Sequence, residues 1–135
     1  MGLIYTEVDL SNPVNGGLAP LKVNALVDTG AITLCIPERV AIQLDLTELE
    51  KREVTTAEGK QVSVAYVGPV RVKFGSRSCF TGALVLGDNV LLGSIPMEDM
   101  DLVINPGRQK ITVNPESPDI PSVIVKAACP TSRFV

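Results

Sequence analysis

Apolar and polar positions alternate along most of the chain. Ile4, Thr6, Val8 and Leu10 share one side of a two-residue period, which predicts a first strand, and SNPVNGGLAP (11–20) follows as a turn-rich connection. LKVNALV (21–27) reads as its hairpin partner. Short strands bounded by turn residues then recur at REVTT (52–56), QVSVAYV (61–67), VRVKF (70–74), CFTGALVL (79–86) and NVLL (89–92). GPV, FGSRS and LGDN supply the breaks, through Gly for positive φ and Asn/Asp for side-chain turns. Two stretches look helical instead: ERVAIQL (38–44) behind Pro37 and MEDMDL (97–102) behind Pro96, since proline suits a first helical turn. LVIN and KITVN flank PGRQ as a last hairpin. Past Asn114, PESPDIPS is a Pro-rich extended stretch leading to VIVK and a mobile end. The expected organisation is one domain over 1–114 and a tail over 115–135. Its architecture is all-β, a small and mainly antiparallel barrel or sandwich with two short helices.

Composition narrows the chemistry. The 135 residues are 45% hydrophobic and 20% charged, enough to bury a core without a disulfide or metal staple. Twelve Lys+Arg against 15 Asp+Glu give a net charge of -3, so no phosphate-binding surface is expected and nucleic acid is not a partner. There is no His, which removes Ser-His-Asp and Cys-His catalysis and His-metal sites. Cys35, Cys79 and Cys129 are odd in number and widely spaced, which argues against a structural zinc site or a disulfide framework. Cys35 and Cys79 read as small core residues. The start MGLIYTEVDL has no basic region before an apolar core, no run approaches a membrane span, and no Asn-x-Ser/Thr occurs. These features point to a reducing cytoplasm. Gly2 and Thr6 fit the loose N-myristoylation pattern, but a first strand explains them without lipid.

One element stands apart. Ala25-Leu26-Val27 is an apolar strand end that delivers Asp28, Thr29, Gly30 and Ala31. An aspartate directly after a buried strand is costly unless it is paired, shares a proton or serves a site. Taken alone, Asp-Thr-Gly is an ordinary turn. Two later features bear on it. TTAEGK (55–60) places Glu58-Gly59 between two strand-like runs as a hairpin tip, and VLLGSIPMEDMDLVIN (90–105) ends an apolar strand at Gly93 just before a short helix.

In that order, these segments resemble the retroviral-type (retropepsin-like) aspartic proteases over roughly residues 2–114. VRVKFGSRSCFTGALVLGDNVLLG is similar to the family's middle strands. The hairpin LVINPGRQKITVN after the helix makes the bacterial branch the nearest match, with the eukaryotic members beside it. The resemblance implies a small closed barrel, homodimeric, and an aspartic endopeptidase without metal or other cofactor. Its water would be held between two carboxylates that share one proton. Asp28 would be catalytic. No second aspartate precedes Thr-Gly or Ser-Gly: Asp88 lies in a Gly-Asp-Asn turn, while Asp99 and Asp101 read as a solvated acidic helix face. The second carboxylate is then Asp28 of another copy.

The remaining roles follow from the same resemblance. Thr29 would interlock with its dimer mate. Gly30 would allow the turn and face the substrate backbone, and Ala31 would line the cleft. Thr56, Ala57, Glu58 and Gly59 would form a flap closing over an extended peptide. Leu91, Leu92 and Gly93 would support the turn and shape an apolar pocket, so apolar residues should flank the cut. Two positions depart from the retroviral pattern, which has an Asp-Arg ion pair where this chain has Ile32 and Ser94. The hairpin 102–114 is the natural replacement for that dimer tie. The alternatives are a catalytically silent dimeric peptide-binding module on the same fold, or a small β-barrel interaction protein.

Overall fold

A computed structural model describes residues 3–127. Its strands are β1 (Tyr5–Ser11), β2 (Leu21–Val27), β3 (Leu34–Ile36), β4 (Thr47–Thr55), β5 (Gln61–Phe74), β6 (Arg77–Val85), β7 (Leu91–Leu92), β8 (Leu102–Asn105) and β9 (Lys110–Val113). The two helices, α1 (Glu38–Gln43) and α2 (Ser94–Asp99), have six residues each. The main sheet runs β1-β2-β7-β3-β6-β5-β4, and a further β1–β5 pairing closes it into a barrel with β4 left outside. Closure leaves β4 as the exposed edge. β8 and β9 form a separate antiparallel hairpin.

The period-two pattern explains which side chains fill the barrel. Val8 and Leu10 of β1 and Val70 and Val72 of β5 point inward, whereas Arg71 and Lys73 are exposed. Leu34, Ile36 and Leu92 are fully buried between them. Met100, Leu102 and Ile111 extend this core beneath α2 and the last hairpin. Asn12 is buried in the first connection, where its amide donates to the carbonyls of Leu44 (2.9 Å) and Asp45 (3.2 Å). It thereby satisfies carbonyls that the end of α1 leaves open.

Several expectations change. The strand expected at 52–56 is β4, which begins at Thr47 and is exposed along nearly its whole length. The strands expected at 61–67 and 70–74 are one strand, β5, with a register shift between Val67 and Val70 where Gly68-Pro69 reads as a break. β3 has three buried residues and too short a run to show any period. Two pairings are parallel, β2 with β7 and β3 with β6. α2 starts at Ser94, two residues before Pro96, because the carbonyls of another loop receive its first N–H groups. No described helix is long and apolar enough to cross a membrane.

Asp101 is not on a helix face. It follows α2 with φ +54°, half-buried, and accepts hydrogen bonds from the Asn114 amide (3.1 Å), the Ser117 hydroxyl and the Ser122 N–H (2.9 Å). Buried Arg77 works from below, donating to the Met100 carbonyl (2.9 Å) and to the Ser117 carbonyl. The extended stretch after β9 is thus tied to the barrel as far as Ser122. Gly2, Cys129 and the expected mobile end at 128–135 lie outside the described residues.

Candidate active site

Asp28 stands at the point where β2 leaves the sheet. Val27 N–H donates to the Ile4 carbonyl (2.8 Å) on one side, and Leu26 N–H to the Val90 carbonyl (2.9 Å) on the other. The Asp28 N–H then continues the parallel pairing by donating to the Leu92 carbonyl (3.0 Å). The chain turns at once. Asp28 Oδ1 accepts the Gly30 N–H at 3.0 Å and the Asp28 carbonyl accepts the Ala31 N–H at 3.1 Å. This local closure is what Asp and Gly favour in tight turns. It leaves Asp28 half-buried with Thr29 and Gly30 exposed.

The turn is held from beneath by the start of α2. Ser94 N–H donates to the Ala31 carbonyl (3.0 Å) and Ile95 N–H to the Ile32 carbonyl (2.8 Å). A helix start has N–H groups without intrahelical partners, and here the turn accepts two of them. Gly93 makes the approach possible, since any Cβ there would collide with the backbone of Ala31, Ile32 and Thr33. Leu92 is fully buried and Leu91 half-buried, and Leu91 pairs with both Leu26 and Cys35. The structure therefore brings Asp28–Ala31 and Leu91–Gly93 together.

Cys35 is a close neighbour of this group. Burial pushes its thiol above the ordinary range, and the negative charge of Asp28 adds to the effect. Such a thiol is a poor nucleophile at neutral pH.

The residues expected to form a flap lie at a different place. Thr56–Lys60 is the tip of the β4–β5 hairpin, closed by Thr56 N–H to the Lys60 carbonyl (2.8 Å) and Gly59 N–H to the Thr56 carbonyl (2.9 Å). Gly59 has φ +83°, a left-handed turn position. Ala57, Glu58 and Gly59 are exposed and Thr56 is half-buried. Among the described residues, no hydrogen bond joins this tip to the Asp28 turn.

Ile32 and Ile95 are joined through the backbone bond above, and are 69% and 49% exposed beside the turn. The docking of Ser94 and Ile95 on the turn carried no signal in the sequence, because backbone groups make it. Among the described residues, no three Cys, Asp or Glu side chains converge as a metal-binding group would require.

A family model for the "gag-polyprotein putative aspartyl protease" matches residues 14–98, a span that contains the Asp28 turn, the tip of the β4–β5 hairpin and Gly93. No curated protein is matched. Among solved structures, the chain is similar to the solution structure of the simian foamy virus (mac) protease, at 22% identity and a TM-score of 0.43, over 68% of this chain and 91% of that one.

Proposed function

The chain belongs to the gag-polyprotein aspartyl protease family, and on that premise we propose that it is an aspartic endopeptidase whose active unit is a homodimer. The observation that carries this reading is Asp28, fixed by Leu92 and Gly30 at the exposed end of β2. It is the only Asp-Thr-Gly of the sequence. Two copies of Asp28 facing each other across a two-fold axis cannot both ionise, so they share one proton. The ionised carboxylate takes a proton from the bound water as it attacks the scissile carbonyl. The protonated partner donates to the carbonyl oxygen, and the resulting tetrahedral species collapses with protonation of the leaving amine.

The rest of the site serves this step. Thr29 braces its counterpart in the dimer, the Gly30 carbonyl and Ala31 meet the substrate backbone, and Leu91 contributes to an apolar side-chain pocket. Thr56–Gly59 close over the peptide as an added strand. Exposed Ile32 and Ile95 support a dimer face built on apolar contact, and the β8–β9 hairpin extends it. That hairpin also supports a place in the bacterial branch of the family. Residues 1–114 form the protease domain with 115–135 as its tail. Two free buried thiols, Cys35 and Cys79, suit a reducing compartment, the cytoplasm.

The test is a peptide library digested side by side by the wild type and Asp28→Asn from acid to neutral pH. Cleavage by the wild type alone, with a bell-shaped pH profile, is the expected result. Equal cleavage by both proteins, or none by the wild type at any pH, would overturn the reading.

A further inference from the structure

The flap hairpin leaves the barrel at a defined residue. From Gln61 to Ala65, β5 pairs only with β4; pairing with β6 begins at Tyr66, opposite Leu84. Residues 51–65 are therefore a two-stranded arm rooted at Tyr66 and at Glu50 across from it. The root is built unlike the rest of the hairpin. The half-buried Tyr66 ring fills the space where a Cβ on Gly82 of β6 would stand. The Arg52 guanidinium carbon also sits 3.7 Å from the ring centroid, within cation–π range, and Glu50 Oε2 accepts the Arg52 Nε–H at 2.9 Å.

Beyond Gly82 the stack reaches the Asp28 loop. The Gly82 carbonyl accepts the Thr81 hydroxyl at 2.9 Å and the Thr33 hydroxyl at 3.5 Å. Thr33 is buried, two residues past Ala31, and its carbonyl lies against Gly93. The order Arg52–Tyr66–Gly82–Thr33 thus runs from the root of the arm to the loop that carries Asp28. A flat ring against a bare α-carbon holds an arm by dispersion and lets it tilt without breaking a directional bond.

We infer that Tyr66 is a positioning residue, the pivot of the flap, whose ring sets the angle at which the arm closes over a peptide at Asp28. The arm half of this statement is structural; its effect on catalysis rests on the protease reading above. Hydrogen exchange and steady-state cleavage of one peptide, on Tyr66→Ala, Tyr66→Phe and Gly82→Ala, test both halves. In Tyr66→Ala and Gly82→Ala, amides of 51–65 should exchange about tenfold faster while those of 70–74 and 79–83 keep their protection. The same variants should raise KM severalfold with a smaller change in kcat, since closure rather than proton transfer is disturbed. Tyr66→Phe keeps the ring and should restore both readouts. Unchanged arm exchange in Tyr66→Ala overturns the pivot, as does acceleration spread equally over the barrel, or a Tyr66→Phe variant that behaves like Tyr66→Ala. Exchange needs no turnover, so it decides the pivot even if Asp28→Asn cleaves like the wild type and the protease reading falls.

Discussion

Gly93 lies so close to Ala31 that a Cβ on it would stand 2.7 Å from the Ala31 carbonyl oxygen. The same carbonyl accepts the Ser94 N–H at 3.0 Å, so the contact that forbids a side chain also anchors α2 to the Asp28 turn. The atoms a Cβ would meet are all backbone of residues 31–33, which leaves no flexible side chain to move aside.

Gly93→Ala should therefore push β7 and the turn apart. Overpacking at such a site costs about 1–3 kcal/mol. A lower urea midpoint with an unchanged m-value is expected, together with a loss of peptide cleavage larger than the loss of folded protein explains. A midpoint equal to that of the wild type would show that the turn yields without strain.

Ile32 and Ser94 lead to a prediction about assembly. With no ion pair at these positions, dimer affinity should change little between low salt and about 1 M, because apolar and main-chain contacts are weakly screened. Ile32 is 69% exposed in the single chain, so Ile32→Lys should leave the monomer fold within about 0.5 kcal/mol of the wild type. In a dimer that buries this face it should weaken association strongly. Sedimentation velocity at micromolar concentration reads both effects, and an Ile32→Lys protein that dimerises like the wild type would remove this face from the interface.

Which features the sequence revealed depends on where side chains point. β2 coincides with its expected span because its apolar end runs straight into the Asp-Thr-Gly turn. β1 and β5 showed their alternation because one face of each is buried. β4 gave little signal, since a strand exposed on both faces has no reason to alternate. The assembly of Asp28–Ala31 on Gly93–Ile95 was visible only as separate motifs, because main-chain hydrogen bonds join them. The partnership of Asp101 with Asn114, Ser117 and Ser122 was hidden by an Asp-rich helical run, in which only the positive φ distinguishes it.

That partnership makes stability depend on pH. The Ser117 hydroxyl, then the Ser122 N–H and the Asn114 amide, hold the Asp101 carboxyl below the usual carboxylate range. A folded-state pKa below the unfolded one means that the unfolded chain binds the proton more readily. The contribution is thus complete above the unfolded value of about 3.9 and is lost as pH falls through the lower folded value. Asp101→Asn should be less stable than the wild type at neutral pH, with the gap closing below about pH 4. Urea midpoints across that range test the sign, and a gap that widens toward acid would refute it.

The buried thiols should be inert. Burial, and secondarily the charge of Asp99, pushes Cys79 up to about 12, and burial with Asp28 raises Cys35 in the same direction. Iodoacetamide at about pH 8 should leave both unmodified in the folded protein and label both in denaturant, as read by peptide mass spectrometry. Rapid labelling of Cys35 in the native state would mean that the loop around Asp28 opens on that timescale.

A site shared by two chains and one complete in each respond differently when active and inactive chains are mixed. Wild type and Asp28→Asn are mixed under conditions where subunits exchange, and cleavage is measured against the wild-type fraction. If two Asp28 carboxyls are required, only wild-type homodimers turn over, and their share falls as the square of that fraction. An equal mixture then retains about a quarter of the activity, and a ninefold excess of the variant about a hundredth. If each chain worked alone, the same mixtures would retain about a half and about a tenth. The mixed dimer is informative because asparagine keeps the shape and can donate a hydrogen bond, but it has no acidic proton for the carbonyl oxygen. Its turnover should be lower by about 10²–10⁴. Asp99→Asn, exposed on α2 away from the turn, should leave activity flat at every ratio and so controls for dilution and exchange. A linear dependence on the wild-type fraction, with subunit exchange confirmed by mass-tagged chains, would show that Asp28 needs no counterpart and would end the two-carboxylate mechanism for this protein.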